Sequence, residues 1–226
     1  MRNLHEWNLS YADARELQKR LAGEVCFSTL RRQPRLIAGL DCAFSKDGKR
    51  IFAAAVMLEV VNASRASFVL NLVETVSAEQ ETRFPYIPGL LSFREAPVCL
   101  DAAGRLSREP DLYMIDGQGT AHPRRLGLAS HLGLFFDKPT IGCAKSRLIG
   151  TFDEPGEQKG MWSPLWDGEE QIGAVVRTRS RVKPIFVSVG HRCTLEDAIR
   201  ISLACTTRYR IPEPTRLAHQ AVSRLR

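Results

Sequence analysis

Residues Phe84 to His122 read FPYIPGLLSFREAPVCLDAAGRLSREPDLYMIDGQGTAH, and the character of the chain changes across them. Asp111-Leu-Tyr-Met-Ile-Asp116 is a short apolar run that ends in a carboxylate, the pattern of a buried strand. Gly117-Gln118-Gly119 turns the chain straight after it. Ahead of that strand, Gly89 to Arg105 suits a helix that Pro97 must bend or interrupt. Ahead of the helix, Pro85-Tyr86-Ile87-Pro88 forms a stiff apolar knuckle with an aromatic residue at its centre. Glu95 follows Pro88 by seven residues.

Upstream of this stretch the pattern is strand after strand. Leu36 to Phe44 (LIAGLDCAF), Arg50 to Val61 and Ser67 to Val76 are apolar runs rich in β-formers, and Lys46-Asp47-Gly48 is a hairpin signal between the first two. They predict an antiparallel meander, preceded by an amphipathic surface helix over Ser10 to Ala22 with Ser10 as N-cap. Downstream, helix and strand alternate: helix over Arg125 to Phe136, strand over Thr140 to Ala144, strands over Val175 to Arg181 and Pro184 to Val189. A helix from Leu195 to about Thr207 capped by Thr194 follows, then a last helix opening at Pro212-Glu213-Pro214. Gly150 to Gly168 reads as a long loop or insertion. A meander followed by β-α-β alternation predicts an α/β protein with a mixed sheet flanked by helices on both faces.

The 226 residues carry no internal repeat and no linker, so a single domain over residues 1–226 is expected. Net charge is +7, and 25 of the 32 basic residues are Arg, the side chain suited to bidentate phosphate contact. A basic chain of this kind favours a polyanionic partner. The six cysteines show no C-x-x-C spacing, which argues against a zinc site or a disulfide framework. No apolar signal core opens the sequence and no run approaches membrane-spanning length, so the expectation is a cytoplasmic protein with no membrane partner.

Asp41 and Asp116 are acids in or at the end of apolar strands, which costs free energy unless they are paired or bind a cation. Taken alone, either could cap a strand end or hold a buried hydrogen bond. Together, and with Glu95 as a third carboxylate, they could form a hard-oxygen site for a divalent metal that hydrolyses phosphodiesters. Their convergence requires the two strands to be parallel neighbours, which the sequence pattern does not establish.

Five segments in order sharpen this. They are Pro85-Tyr86-Ile87-Pro88-Gly89 with Phe93-Arg94-Glu95, and Asp116-Gly117-Gln118-Gly119 with His122-Pro123-Arg124. Then come Gly142-Cys143-Ala144-Lys145-Ser146, Val187-Ser188-Val189-Gly190-His191 and Pro212-Glu213-Pro214-Thr215-Arg216. From about Ala38 to His219 the chain resembles the endonuclease V family. The resemblance implies a ribonuclease H-like sheet of five to eight strands in which the first and fourth are parallel neighbours. It implies Mg²⁺-dependent hydrolysis, with Mn²⁺ able to substitute. The implied substrate is double- or single-stranded DNA carrying a deaminated base, mainly hypoxanthine. The nick falls at the second phosphodiester 3′ to the lesion and leaves a 3′-hydroxyl and a 5′-phosphate.

Carried over by position, the resemblance makes Asp41, Asp116 and Glu95 metal ligands, with His219 at the last-helix position where relatives have Asp or His. Lys145 matches a lysine near the scissile phosphate. Pro85, Tyr86, Ile87 and Pro88 match a strand-separating wedge. Leu91, Gly117, Gln118, Gly119, His122, Gly127 and Leu148 match a pocket for the extruded base. Arg124, Arg125, Ser146 and His191 are candidate phosphate contacts. Ala96 departs from the family, where Gly commonly follows the Glu. The expected protein acts as a monomer on DNA. Two other readings stay open: an inosine-specific endoribonuclease on the same fold, and a catalytically idle nucleic-acid-binding module. The intact acids argue against the second, because carboxylates facing phosphate weaken binding.

Overall fold

A computed structural model describes residues 1–64 and 67–226. Its first strand, β1 (Leu36–Phe44), lies inside an eight-stranded sheet, with Ile37, Ala38 and Leu40 wholly buried. β2 (Arg50–Ala63) and β3 (Phe68–Glu81) continue from it as the expected antiparallel meander. On the other flank of β1 lies β4 (Leu112–Ile115), parallel to it, and then β5 (Thr140–Ala144), parallel to β4. Beyond β5 come β8 (Ile185–His191), β7 (Glu170–Val176) and β6 (Trp162–Asp167), all antiparallel steps. The order β3-β2-β1-β4-β5-β8-β7-β6 is a mixed α/β sheet of the ribonuclease H-like kind.

Helices cover both faces. α2 (Leu91–Gly104) and α3 (Leu128–Phe136) lie on one, where Ala38, Leu40, Tyr113 and Ile115 meet Ala96, Cys99 and Ala102 of α2 and Ala129 and Leu132 of α3. On the opposite face Ile37, Leu112 and Met114 pack against Ala198, Ile201 and Ala204 of α4 (Leu195–Ala204). The period-2 alternation of side chains assigns each strand residue to its face. α5 (Glu213–Ser223) shares the α4 face and packs Ala218 on Val56 and Leu58 of β2. α1 (Tyr11–Ala22) sits at the periphery, capped by the Ser10 side chain on the Asp13 N–H.

Gly39 fixes how close α5 comes to the sheet. A Cβ there would lie 2.0 Å from the Pro214 carbonyl oxygen, so only glycine lets the helix start rest on β1. This contact sets the height of every α5 side chain above the strand, His219 included.

The sequence pattern missed in four places. Residues 150–168 are not one loop: β6 occupies Trp162–Asp167, and Asp167-Gly168-Glu169-Glu170 is the tight connection to β7. Pro164 hid this strand, because proline is excluded from central strands but allowed on an edge such as β6. The strand expected over Val175 to Arg181 instead ends at Val176. Arg177 leaves the ladder to bond Glu154 and the carbonyls of Pro155, Gly156 and Val182. α3 also begins three residues later than expected, since Arg125 takes a left-handed φ of 57°. α2 runs unbroken through Pro97.

Candidate metal centre and base cleft

The register Leu40↔Ile115 between parallel β1 and β4 makes Asp41 and Asp116 neighbours at the carboxyl ends of their strands. The Asp116 N–H donates to the Leu40 carbonyl at 2.9 Å, which locks that alignment. Both acids alternate with Leu40 and Ile115, so they turn to the face that carries α5. His219 comes down from that helix, and its Nδ1 lies 2.7 Å from Asp41 Oδ2. Lys145, just past β5, brings Nζ to 2.6 Å from Asp116 Oδ2 and 3.4 Å from His219 Nδ1. A ligand atom of each of Asp41, Asp116 and His219 lies within 4.8 Å of the other two.

Electrostatics shows what this group lacks. Burial, and then the charge of Asp116, push the Asp41 carboxyl up to about 6, against the opposing pull of His219 and Lys145. Glu95 reaches the site from α2, and burial followed by the Asp41 charge pushes its carboxyl up to about 7. Two carboxyls held above their ordinary range, first by lost solvation and then by the charge of a neighbouring carboxylate, would favour a cation between them. The Lys145 ammonium partly fills that role, standing where a cation between the acids would be attracted. Two carboxylates and one imidazole nitrogen form a donor set that fits a divalent ion with mixed oxygen and nitrogen tolerance.

Beside the acids opens a cleft of about 350 Å³. Leu91, Gly117, Gln118, His122, Gly127 and Leu148 line it, along with Glu95, Asp116, Lys145 and Ser146. Gly119 does not line it: its N–H donates to the Ser188 hydroxyl at 2.8 Å, and a Cβ there would meet the Val189 carbonyl. A Cβ on Gly127 would meet the Gln118 carbonyl at 2.4 Å, so this glycine brings two loop backbones together. Burial, and then Arg124, push His122 down to about 4, so its ring is neutral at physiological pH. The Arg124 N–H donates to its Nδ1 at 3.1 Å, leaving the ring proton on Nε2. Gln118 donates to the Ser146 carbonyl at 3.0 Å, while its Oε1 is buried without a partner.

At the rim, the knuckle stands on two buried anchors, Phe84 and Leu90, which pack with Phe93 and Ala14. Ile87-Pro88-Gly89-Leu90 is a turn closed by the Leu90 N–H on the Ile87 carbonyl at 2.9 Å, with Gly89 at φ +79°. Proline followed by a positive-φ glycine is the chemistry of a type II turn. Tyr86 is left 67% exposed at the tip.

Three expected phosphate contacts are placed otherwise. His191 is at the far end of the sheet from the acids, paired with Thr140 at the start of β5, whereas the site lies past the end of β5. It is buried, its Nδ1 accepts from the Cys26 N–H at 3.1 Å, and it orients that loop. Arg124 is spent on Gln18 and on the Gly89 carbonyl, bracing the knuckle from behind. Arg125 is neutralised by Asp167 and Glu170 of the β6–β7 hairpin. Ser146 alone of the four stays on the cleft.

Sequence reasoning missed Gln18 and Arg210. Gln18 is wholly buried and ties the carbonyls of Gly89 and Leu126 together. Its spacing from Ala14 and Leu21 marked the buried face of α1, but an amide on that face reads as polar surface. Arg210 donates to the Lys145 carbonyl at 2.6 Å, and only the fold brings the two together.

A family model described as Endonuclease V matches residues 19–220. An endonuclease V of Alkalilimnicola ehrlichii is 46% identical over 99% of this chain and 96% of its own length. The crystal structure of endonuclease V from Streptomyces avermitilis superposes with a TM-score of 0.90 at 41% identity, covering 97% of this chain and 94% of that one. A Ciona intestinalis endonuclease V, crystallised with a 24-mer DNA containing an inosine followed by a ribo-adenosine, superposes with a TM-score of 0.79. It is 27% identical, over 95% of this chain and 96% of that one.

Proposed function

Because the chain belongs to the endonuclease V family, we propose that it is a DNA repair endonuclease acting at deaminated bases, chiefly hypoxanthine. It hydrolyses the second phosphodiester 3′ to the lesion and leaves a 3′-hydroxyl and a 5′-phosphate. The observation that carries this reading is the joining of two features in one place. Asp41, Asp116, His219 and Lys145 meet at one end of a base-sized cleft, and an exposed aromatic knuckle stands at its rim.

The geometry supports the following roles. Asp41, Asp116 and His219 would hold a divalent metal, Mg²⁺ or Mn²⁺, with Glu95 as the further carboxylate beside it. Such an ion supplies an activated water and charge stabilisation for an in-line displacement at phosphorus. Lys145, on an exposed loop, can leave Asp116 for the scissile phosphate and offset developing charge there. Ile87 and Pro88 hold Tyr86 forward, with Pro85 on the approach, so that its ring replaces stacking lost when the base turns out. Such stacking is worth ~1–3 kcal/mol. Leu91 and Leu148 give the cleft its apolar walls, and the backbone at Gly117 can approach the base edge. Neutral His122, its ring held by the Arg124 N–H and the Gly89 backbone, completes the cleft wall without adding charge. The chain works as a single domain and as a monomer, on duplex or single-stranded DNA.

The test is cleavage of end-labelled DNA and RNA oligonucleotides carrying one inosine, in Mg²⁺, Mn²⁺ or EDTA. The expected result is a metal-dependent nick 3′ to inosine in DNA. No such nick in either polymer would sink the reading, and a nick confined to RNA would move the substrate. Asp41→Ala is expected to abolish cleavage while inosine DNA is still bound.

A further inference from the structure

A cavity of about 860 Å³, larger than the one beside the acids, lies elsewhere on the molecule. It lies on the other side of the knuckle. Arg83, Phe84 and Pro85, the limb leading into the knuckle, line it, while Gly89 and Leu91, on the limb leading out, line the metal-side cleft. α2 separates the two in the same way. Phe93, Arg94, Pro97 and Leu100 face the large groove, and Leu91, Ser92 and Glu95 face the cleft. A rotation of about 100° per residue puts these two sets on opposite sides of one helix. The knuckle is therefore a ridge with a concavity on each flank.

The chemistry of the second concavity differs from that of the first. It holds no pair of acids. Half-buried Trp7 gives it one aromatic wall, the buried rings of Phe84 and Phe93 close its floor, and Arg83 and Arg94 give it cationic walls. The Arg94 guanidinium carbon lies 4.1 Å from the centre of the Phe44 ring, and its Nε is buried without a hydrogen-bond partner. Neither arginine forms an ion pair among the described residues, unlike Arg50 and Arg105 nearby, which bond Glu79 and Asp101. Glu81 is the one acid among the lining residues. A part-exposed indole beside guanidinium groups that have no ion-pair partner is a surface suited to an unpaired nucleotide.

We infer that this groove takes the nucleotide opposite the lesion. When the knuckle enters a duplex, two bases lose their partners. The damaged one turns into the cleft beside the acids, and the base across from it is received on the other flank of the same ridge, its phosphate near Arg83. The inference rests on the functional reading above. It goes beyond it by giving the enzyme a second nucleotide site, used only when the substrate is a duplex.

The test compares kcat/KM on an inosine oligonucleotide as a single strand and as a duplex. Two substitutions at exposed groove positions are used. Arg83→Glu reverses the charge and Asn8→Trp fills the groove. Thermal unfolding of each variant is expected to match wild type. Each is expected to lower the duplex value at least tenfold while leaving the single-strand value within twofold, and Glu81→Gln is expected to raise the duplex value. Equal losses on both substrates would overturn the inference, because the groove would then hold the lesion strand; so would no loss on either. Wild-type inactivity on both substrates would instead overturn the functional reading itself.

Discussion

Gly39→Ala tests how the sheet places His219. The new Cβ would sit 2.0 Å from the Pro214 carbonyl oxygen, and ordinary contact begins at 3.4 Å, so the start of α5 must retreat by 1.4 Å. Backbone cannot swing aside as a side-chain end can, so the helix moves as a body. A 2.7 Å hydrogen bond from His219 to Asp41 lengthened by that amount reaches about 4 Å, outside hydrogen-bond range. Two effects follow. Overpacking costs about 1–3 kcal/mol, and the upper figure applies against backbone. For a chain of this size that lowers Tm by roughly 6–12 °C. Loss of a hydrogen bond to a charged group, about 1.5–3 kcal/mol, slows cleavage roughly 10- to 100-fold. Thermal unfolding measures the first effect, and single-turnover nicking of an inosine oligonucleotide below the variant's Tm measures the second. The double variant with His219→Ala shows whether the two act through one contact: if they do, the rate losses do not add. An unchanged Tm, or fully additive rate losses, would refute this account of how α5 is seated.

Lys145→Ala removes the ammonium 2.6 Å from Asp116 and is expected to slow nicking by about 10²–10³-fold, with inosine binding retained in a gel-shift assay. Tyr86→Ala is expected to weaken binding of inosine DNA by ~1–3 kcal/mol and to leave the metal concentration for half-maximal activity unchanged. Comparing His219→Asp with wild type in Mg²⁺ and Mn²⁺ is expected to shift preference towards Mg²⁺, because oxygen replaces nitrogen in the donor set; an unchanged ratio would remove His219 from that set. His131 is wholly buried, and burial pushes it down to about 3 from 6.5. The unfolded chain therefore binds a proton that the folded one refuses. Its contribution to stability is complete above pH 6.5 and is lost towards pH 3, at about 1.4 kcal/mol per pH unit. Chemical denaturation of wild type and His131→Gln between those limits is expected to show the shallower pH slope in the variant.

Sequence pattern alone was enough for the meander, the β4 strand with Asp116 at its end, β5 from Thr140 to Ala144, and the cap at Thr194, because these depend on local periodicity and local capping. It was also enough to single out Asp41 and Asp116, since an acid in an apolar strand stands out without any neighbour. It could not say that the two acids meet. That depends on the parallel register Leu40↔Ile115, a pairing between residues far apart in the chain, and no local pattern encodes which strands pair. The same limit explains the arginines. Arg124 and Arg125 look like free cations in sequence, and only the fold supplies the Gly89 carbonyl and the Asp167–Glu170 hairpin that claim them. It explains His191, which lies at the end of the sheet away from the candidate metal centre. Motif residues carried the chemistry; the antiparallel return of β8 and the seating of α5 on Gly39 decided which of them reach it.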